Sequence, residues 1–346
     1  MNTVLHCWAK CKSENAAVRA HAMLTNMQDL SRAGDVHFAP DRISYNTVIN
    51  AWAKAGKEYH AIALLEEMNH EHTQGKMELK PDRTTYATVL SSFLHSKSVD
   101  SARQAEELLD QMPKLGIQPD IICYNIVMEC YAKSDDPKAS ERSDALLQQM
   151  TDPLKHETQI SPDVVSYSSV LKAWSTSPDR KAPERAEAHF KELLSIYKGG
   201  NKSMKPDDRC FLAMITVWSK CRRPCAGAKA EEYLRLMLEI NPFGKSGHRR
   251  LKAHYTCAIR AWAFSQVPEA VSRADALLRE MLDLAKAGNH DIMPDGTSFG
   301  WLLKTIAMSK VPDKTKKADQ VIETMAQHGL KLDSFGKRYL ERCRKK

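Results

Sequence analysis

The stretch PDRISYNTVINAWAKAG, at residues 40–56, contains the pattern that decides the fold of this chain. Counted from Tyr45, large apolar side chains stand at positions 0, +3, +4 and +7, which is the spacing of one buried stripe on an α-helix. Pro40 ends a connector, and Asp41 can cap the helix by accepting hydrogen bonds from its free N–H groups. A second helical pattern runs from Ala61 to Met68. We therefore interpret this region as one helix–turn–helix repeat.

Copies of this repeat run along the whole chain. An aromatic residue, whose position we name the slot, is followed seven residues later by another large residue, and the slots recur at steps of 38 to 44 residues. The pairs are Tyr45/Trp52, Tyr86/Phe93, Tyr124/Tyr131, Tyr167/Trp174, Phe211/Trp218, Tyr255/Trp262 and Phe299/Ile306, with Trp8 marking a further copy whose slot is Met1. Each helix pair covers only one face, so neighbours must stack to complete the burial. The sequence predicts an all-α fold, an α-solenoid or right-handed superhelix of about eight repeats.

The predicted repeat boundaries follow the Pro-Asp dipeptides. They are 1–39 for a truncated repeat 1, then 40–80, 81–118, 119–161, 162–205, 206–249, 250–293 and 294–331, with a basic capping helix over 332–346. No basic, Ser-rich or apolar leader precedes the first helical pattern, so we expect this sequence to be part of a longer protein.

The composition excludes several protein classes. Hydrophobic residues make up 42% and charged residues 27%, which is the composition of a folded chain, and no apolar run has the length of a membrane span. Lys and Arg exceed Asp and Glu by 51 to 43, a basic bias that permits a polyanionic partner. The nine cysteines form no Cys-x-x-Cys pair, which indicates reduced thiols and no zinc site.

The repeat resembles the pentatricopeptide repeat, with P-type-like but lengthened units. The residues that carry this resemblance are Pro-Asp-x-x-x-Tyr-Asn-x-x-Ile from Pro40 to Ile49, Ala-Trp-Ala-Lys-Ala-Gly at 51–56, and the helix from Ala61 to Met68. The related tetratricopeptide repeat has a Trp–Leu–Gly–Tyr pattern in its first helix, which this chain lacks. One departure is Arg250-Leu251, which stands where repeat 7 should have Pro-Asp.

The resemblance implies recognition of single-stranded RNA, with one base read per repeat. In the family, the readers are the residue after the slot, at +1, and the Asp of the following Pro-Asp. Carried over, the pairs are Asn2/Asp41, Asn46/Asp82, Ala87/Asp120, Asn125/Asp163, Ser168/Asp207, Leu212/Leu251, Thr256/Asp295 and Gly300/Asp333. By the family's rule Asn with Asp favours U, and Thr or Ser with Asp favours G. With repeat 1 at the RNA 5′ end, the pairs predict 5′-U-U-N-U-G-N-G-N-3′.

Helix geometry supports this assignment. Positions −2, +1, +5 and +9 share one face of the first helix, opposite the buried stripe. Lysines recur at +9, as Lys10, Lys54, Lys133 and Lys220, and we predict that they contact phosphates. The family's base-wedging position is −2, which holds Ile43, Thr84, Ile122 and Val165.

Other interpretations remain for several of these residues. Each Asp of a Pro-Asp can act as a helix cap alone, the lysines can form a solvated stripe, and the same solenoid can serve as a protein-binding scaffold of tetratricopeptide-like type. The acidic pairs of the second helices (Glu66-Glu67, Glu106-Glu107, Glu231-Glu232) are interpreted as an outer solvent face. His70-Glu71-His72 has no third metal ligand nearby.

We therefore expect an RNA-binding protein without catalytic residues, metal or cofactor. Its partners would be single-stranded RNA and other RNA-processing proteins, with no membrane and no small-molecule substrate. The resemblance implies organellar RNA metabolism, in a mitochondrion or a plastid, with the cytoplasm as the alternative.

Overall fold

The computed structural model describes residues 2–95, 98–152, 160–241 and 251–344, and every regular element in these ranges is helical. The α-helices are α1 Asn2–Lys10, α2 Glu14–Arg32, α3 Arg42–Lys54, α4 Glu58–Thr73, α5 Arg83–Ser92, α6 Val99–Lys114, α7 Ile121–Lys133, α8 Ala139–Thr151, α9 Val164–Thr176, α10 Ala182–Lys198, α11 Asp208–Lys220, α12 Ala226–Ile240, α13 Leu251–Ser265, α14 Ala270–Lys286, α15 Gly296–Met308, α16 Lys314–Gln327 and α17 Ser334–Arg344. They form eight consecutive helix pairs and a final single helix, which confirms the predicted all-α repeat fold. The slot residue Met1, as well as Arg250, Lys345 and Lys346, lie outside the described residues.

The chain divides into two compact units, Met1–Ala173 and Trp174–Lys346. Within the first unit, the first helices α1, α3, α5 and α7 pack side by side, and each also packs on the second helix of its own pair. Within the second unit the same arrangement joins α11, α13 and α15, and α17 packs against α15 and α16. Stacking of this kind gives each helix pair the covered faces that it lacks alone.

The Pro-Asp dipeptides begin the first helices, as predicted. Asp41, Asp82, Asp120, Asp207 and Asp295 each occupy the N-cap position and accept a hydrogen bond from the backbone N–H at N3. Such a cap satisfies one of the four N–H groups that an α-helix leaves unpaired at its start. The helices therefore begin where the sequence places an acceptor.

The predicted stripe forms the core. On α3 the side chains of Tyr45, Val48, Ile49 and Trp52 are at most 3% exposed. The helix ends at Lys54, and the chain leaves it through Gly56, whose φ of +68° is a left-handed conformation that glycine adopts without strain. The slot residues are thus core residues.

The acidic pairs of the second helices were predicted to face solvent, and for one member of each pair this is wrong. Glu67, Glu106 and Glu231 point inward, whereas their neighbours Glu66, Glu107 and Glu232 are exposed. The inward carboxylates accept hydrogen bonds from core rings: Tyr45 Oη donates to Glu67 Oε1 at 3.0 Å, Tyr131 Oη donates to Glu106, and Trp262 Nε1 donates to Glu231 Oε2 at 3.0 Å. A buried hydroxyl or indole N–H needs such an acceptor.

Glu231 is the most buried of these carboxylates, at 5% exposure. Besides the Trp262 indole, it accepts from Arg273 Nε at 3.2 Å and from an Arg273 terminal nitrogen, and Arg235 lies 3.4 Å away. Arg273 belongs to α14 and Glu231 to α12, so this carboxylate connects neighbouring helix pairs. Its charge stays in the core because three donors satisfy it.

We expect Glu231→Gln to lower the free energy of unfolding by about 2–4 kcal/mol. The change removes the negative charge that pairs with Arg273, and the amide cannot accept all the hydrogen bonds that Arg273 and Trp262 donate to the carboxylate. Urea unfolding followed by circular dichroism measures the change. The matched control is Glu232→Gln on the same helix, where an exposed pair with Lys229 should contribute less than about 1 kcal/mol. Equal effects of the two variants would show that the buried network does not stabilise the second unit.

Candidate nucleic-acid interface

Within the first compact unit, the packing of first helices brings the +1 residues Asn2 and Asn125 to the N-terminus of the next first helix. Asn2 on α1 donates through Nδ2 to both carboxylate oxygens of Asp41 at 3.4 Å. Asn125 on α7 donates through Nδ2 to Asp163 Oδ1 at 3.1 Å. Two of the predicted reader pairs are therefore in direct contact within the first compact unit.

A third residue, which the sequence interpretation missed, completes both contacts. Ser44 and Ser166 stand at −1, and their hydroxyls lie 2.8 Å and 2.7 Å from the side-chain oxygens of Asn2 and Asn125. The same serines occupy N3 of their own helices, where they also bond the capping Asp. A hydroxyl or similar small group recurs at this position (Ser44, Thr85, Ser166 and Ser298), and that recurrence was the available signal.

The Asp in this arrangement is held in its charged form. Burial opposes ionisation of Asp41, but the hydrogen bonds that it accepts from Ser44 and Asn2 outweigh that cost, so its pKa lies below the usual value. At neutral pH the carboxylate therefore acts as an acceptor that orients the Asn amide.

The other polar reader pairs differ in how they are held. Asn46 makes no hydrogen bond to Asp82, and its Oδ1 is buried without a partner among the described residues. Asp82 instead has Arg42 Nε at 3.3 Å. Thr256 reaches Asp295 through a bridge, with its Oγ1 2.9 Å from Ser298 Oγ, which donates to Asp295 Oδ1 at 3.2 Å.

Ser168 lies in the first compact unit and Asp207 in the second, so this pair stays a prediction. Ser168 donates to Val165 O at 3.0 Å, and Asp207 accepts from Arg209 Nε at 2.8 Å.

The pairs without a polar +1 side chain are also different from one another. Asp120 caps α7 opposite Ala87, Leu251 is buried at 2% exposure opposite Leu212, and Asp333 accepts from Gly336 N at 2.7 Å opposite Gly300. An added Cβ at Gly300 would lie 2.7 Å from the Phe335 ring. A base at Gly300 would therefore have to displace that ring.

The predicted wedge residues are accessible. Ile43, Ile122 and Val165 are 63%, 56% and 37% exposed, although each is a large aliphatic residue that ordinarily lies in a core. Thr84 is also exposed, and its backbone oxygen accepts from Thr88. The wedging role itself stays a prediction.

The lysines at +9 have a structural contact that sequence did not indicate. Lys54, Lys133 and Lys220 donate through Nζ to backbone oxygens at the end of the preceding first helix or in the turn just after it, namely Ala9 at 2.7 Å, Leu94 at 3.2 Å and Ser175 at 2.6 Å. Each acceptor stands at +8, near a helix C-terminus, where a cation is favoured. An ammonium group has three donors, so capacity for a phosphate remains, and the phosphate role stays a prediction. Lys10 is exposed and makes no hydrogen bond to the described residues.

The described ranges hold no cluster of three or more His, Cys, Asp or Glu placed to bind a metal ion. All nine cysteines are free thiols. Among the same residues, no helix combines the length and the apolar character that crossing a bilayer requires.

The comparisons with known proteins agree with the helix-pair fold. A family model described as "Pentatricopeptide repeat-containing protein" matches residues 1–142, and the helix-pair pattern of these residues continues through the rest of the described chain. The chain therefore matches the pentatricopeptide repeat family over residues 1–142.

Its fold is similar to the crystal structure of the pentatricopeptide repeat protein PPR10 from maize, with a TM-score of 0.56 and 21% identity over 99% of this chain and 41% of that chain. PPR10 in complex with an 18-nt psaJ RNA element is similar with a TM-score of 0.49 and 17% identity, over 95% of this chain and 45% of that one. The chain thus spans less than half the length of these PPR10 chains. No curated protein matches the sequence.

We expect Lys54→Met to lower the free energy of unfolding by about 0.5–1.5 kcal/mol, because the end of α1 loses a charged donor while the apolar stem is retained. The control Lys10→Met removes the same charge from an exposed lysine at the same +9 position and should change stability by less than about 0.5 kcal/mol. Chemical unfolding of both variants measures this difference. A Lys54 variant as stable as the control would mean that the contact with Ala9 does not hold the repeats together.

Proposed function

We propose that the whole chain is a pentatricopeptide repeat protein that binds single-stranded RNA sequence-selectively, with one base opposite each +1/Asp pair. The observation that carries the proposal is the unused hydrogen-bonding capacity of the Asn side chains. Asn125 uses one of its two amide hydrogens on Asp163, so the other hydrogen remains available. In Asn46 the amide oxygen is a buried acceptor without a partner. Leaving such a group unpaired costs about 1–3 kcal/mol, which a base edge would recover once the Asn46 amide turned towards it.

Uracil fits an amide of this kind. Its Watson–Crick edge presents an N–H donor between two carbonyl acceptors, so one Asn can both donate to it and accept from it. Asp163 and Ser166 hold the Asn125 amide in one orientation, which lowers the entropy lost on binding. A shorter hydroxyl, as in Thr256 or Ser168, leaves room for a larger purine. The predicted site is therefore 5′-U-U-N-U-G-N-G-N-3′.

The exposed residues at −2 and +9 support the same function. Ile43, Ile122 and Val165 present aliphatic surface next to the reader positions, where an unstacked base can pack. Lysines follow along the same helix face and can neutralise phosphates. We infer that the protein acts by binding, without a catalytic step or cofactor, in organellar RNA metabolism such as stability, processing or translation, together with other RNA-processing proteins in a mitochondrion or plastid.

The double change Asn125→Thr with Asp163→Asn tests base reading. We expect it to move the fourth letter of the selected RNA from U towards A and to leave the other letters unchanged. A mismatched base at this position should cost about 1–3 kcal/mol, because buried polar groups are left unpaired. Selection of bound sequences from a random RNA pool, followed by sequencing, measures the preference at each letter.

The matched control is Asp120→Asn. Asp120 caps α7 as Asp163 caps α9, but the +1 partner of Asp120 is Ala87, which has no polar side chain. Because Asn caps a helix about as well as Asp, neither change should unfold the protein. The control should leave the selected sequence unchanged. Retention of U at the fourth letter in the double variant would contradict reading by separate repeats.

A second prediction concerns charge. Lys10→Met should weaken binding to every RNA sequence alike and reduce the salt slope of log K by roughly 0.7, the value for one phosphate contact with a single strand. Lys10 is the cleanest of the four lysines for this purpose, because its loss breaks no hydrogen bond of the described structure.

Fluorescence anisotropy with a labelled single strand, over a series of salt concentrations, measures the slope. Duplex RNA should not compete, and single-stranded RNA should. If the wild-type chain shows no RNA affinity at low salt, the protein-binding scaffold becomes the better interpretation.

A further inference from the structure

The C-terminal compact unit contains a cluster that the reader scheme does not use. Four aromatic rings, Phe264, Trp301, Phe335 and Tyr339, lie in one continuous series. Their centroids are 5.7 Å apart between Phe264 and Trp301, 4.7 Å between Trp301 and Phe335, and 5.0 Å between Phe335 and Tyr339. We name these rings and the cations around them the basic-aromatic cluster.

Four cations converge on these rings, namely Arg222, Arg260, Lys304 and Arg342. Lys304 Nζ is 3.9 Å from the centroid of Phe264 and 4.7 Å from that of Trp301. Arg260 Cζ is 5.3 Å from the centroid of Trp301. Such distances are those of cation–π contacts, which attract a cation but do not neutralise its charge.

None of the four cations forms an ion pair with a carboxylate of the described residues. In the first compact unit, by contrast, a cation at the same +5 position is paired. Lys172 lies 2.7 Å from the carboxylate of Glu129. Burial and the charges of the neighbouring arginines lower the pKa of Lys304. Arg260 Nε is buried without a hydrogen-bond partner. Like charges therefore accumulate here at a cost to the stability of the folded chain.

A cavity of about 530 Å³ lies against this cluster. It is lined by Phe264, Lys304, Tyr339 and Arg342, and on other sides by Arg222 and Met308. Its size is within the range of small-ligand sites. The lining thus combines flat apolar ring faces with unneutralised positive charge.

Part of the basic-aromatic cluster lies on the same first helices, α13 and α15, that carry the last +1 residues. Arg260 stands at +5 on α13, one turn after the reader Thr256, and Phe264 stands at +9, where other repeats carry lysine. Trp301 and Lys304 stand at +2 and +5 on α15, and Phe335 covers Gly300, the last +1 position. The face that presents readers to RNA therefore ends at this series of rings.

We propose that the basic-aromatic cluster binds one nucleotide of the RNA beyond the last reading repeat, whichever base it carries. The base stacks on the exposed part of the ring series, and the adjoining phosphate lies among Lys304, Arg260 and Arg342. Every base has a stacking face, so this contact adds affinity without adding sequence preference. The inference rests on RNA binding as proposed above. The alternative is that these residues only pack α17 against the preceding helices, and the experiment distinguishes the two roles.

The test uses the full chain and a fluorescein-labelled single strand of sequence UUAUGAGAAA. Lys304→Met removes the charge and keeps the stem, and we expect it to weaken binding and to lower the salt slope by roughly 0.7 for a lost phosphate contact. Its thermal midpoint should stay equal or rise, because a repelling charge is removed. A structural cap predicts the opposite pair of results, a lower midpoint with unchanged RNA affinity.

Trp301 tests stacking separately from charge. Trp301→Ala should weaken binding by about five- to a hundredfold, the range for loss of one base–aromatic stack, whereas Trp301→Phe should retain most of it. Both variants should weaken all RNA sequences equally. The control Lys316→Met, on exposed α16 of the same compact unit, should change neither affinity nor salt slope.

Photocrosslinking identifies the source of the nucleotide. One 4-thiouridine, placed in turn at each position of the strand, should crosslink to peptides of α13, α15 or α17 from a terminal position. Unlabelled ATP and UMP should not displace the strand, and displacement would assign the site to free nucleotides instead. If wild-type protein binds RNA while Lys304→Met and Trp301→Ala bind it equally well, this inference fails and the proposed function stands. If wild-type protein binds no RNA, both fail.

Discussion

The Asp carboxylate of the Pro-Asp dipeptide before a first helix is the group on which the rest of the arrangement depends. As an N-cap it accepts the N3 amide hydrogen and sets the residue at which the first helix begins. In Asp41 and Asp163 the same carboxylate also accepts from the +1 Asn amide of the preceding helix pair. If the helix began one residue earlier or later, the Asp carboxylate would move around the helix axis and lose its hydrogen bond with the Asn amide. One local constraint thus sets both the register of the repeats and the orientation of the reader amide.

Cations at the other end of the first helices complete the contact between neighbours. Lys54, Lys133 and Lys220 donate to carbonyls near the C-terminus of the preceding first helix. Helices α1 and α3 are joined at both ends, because Asn2 also donates to Asp41. A charge with this geometry is favoured by the helix dipole and keeps further donors for solvent or a ligand. One lysine can therefore hold two neighbouring helices together and still have donors left for a phosphate. Lys10 makes no such helix contact among the described residues, so its substitution tests phosphate binding alone.

The reader face changes character along the second compact unit. At +9, where four other repeats have lysine, α13 has Phe264. The cations at +5, Arg260 and Lys304, form no ion pair with a carboxylate in the part of the chain that the structure describes. The positive charges of these side chains repel one another, and the cation–π attraction of the neighbouring ring faces offsets part of that repulsion. Stability alone would favour a carboxylate here, as Glu129 serves Lys172 in the first unit.

Most of the fold was determined by the sequence itself, because helical periodicity, Pro-Asp starts and a step of 38 to 44 residues are local properties of the chain. The same patterns indicated which positions share a face, whereas the Asn2/Asp41 and Asn125/Asp163 pairs were predicted from the resemblance to the pentatricopeptide repeat. Tertiary structure decided what those side chains contact. Periodicity places Glu231 on a polar face, yet the Trp262 indole and Arg273 from neighbouring helices bury it. Ser44 and Ser166 are ordinary first-turn residues until the next helix pair brings an Asn amide within 2.8 Å. Four cations separated by as many as 120 residues meet around one set of rings only after packing, since a side chain's charge environment depends on distances that the chain order does not contain.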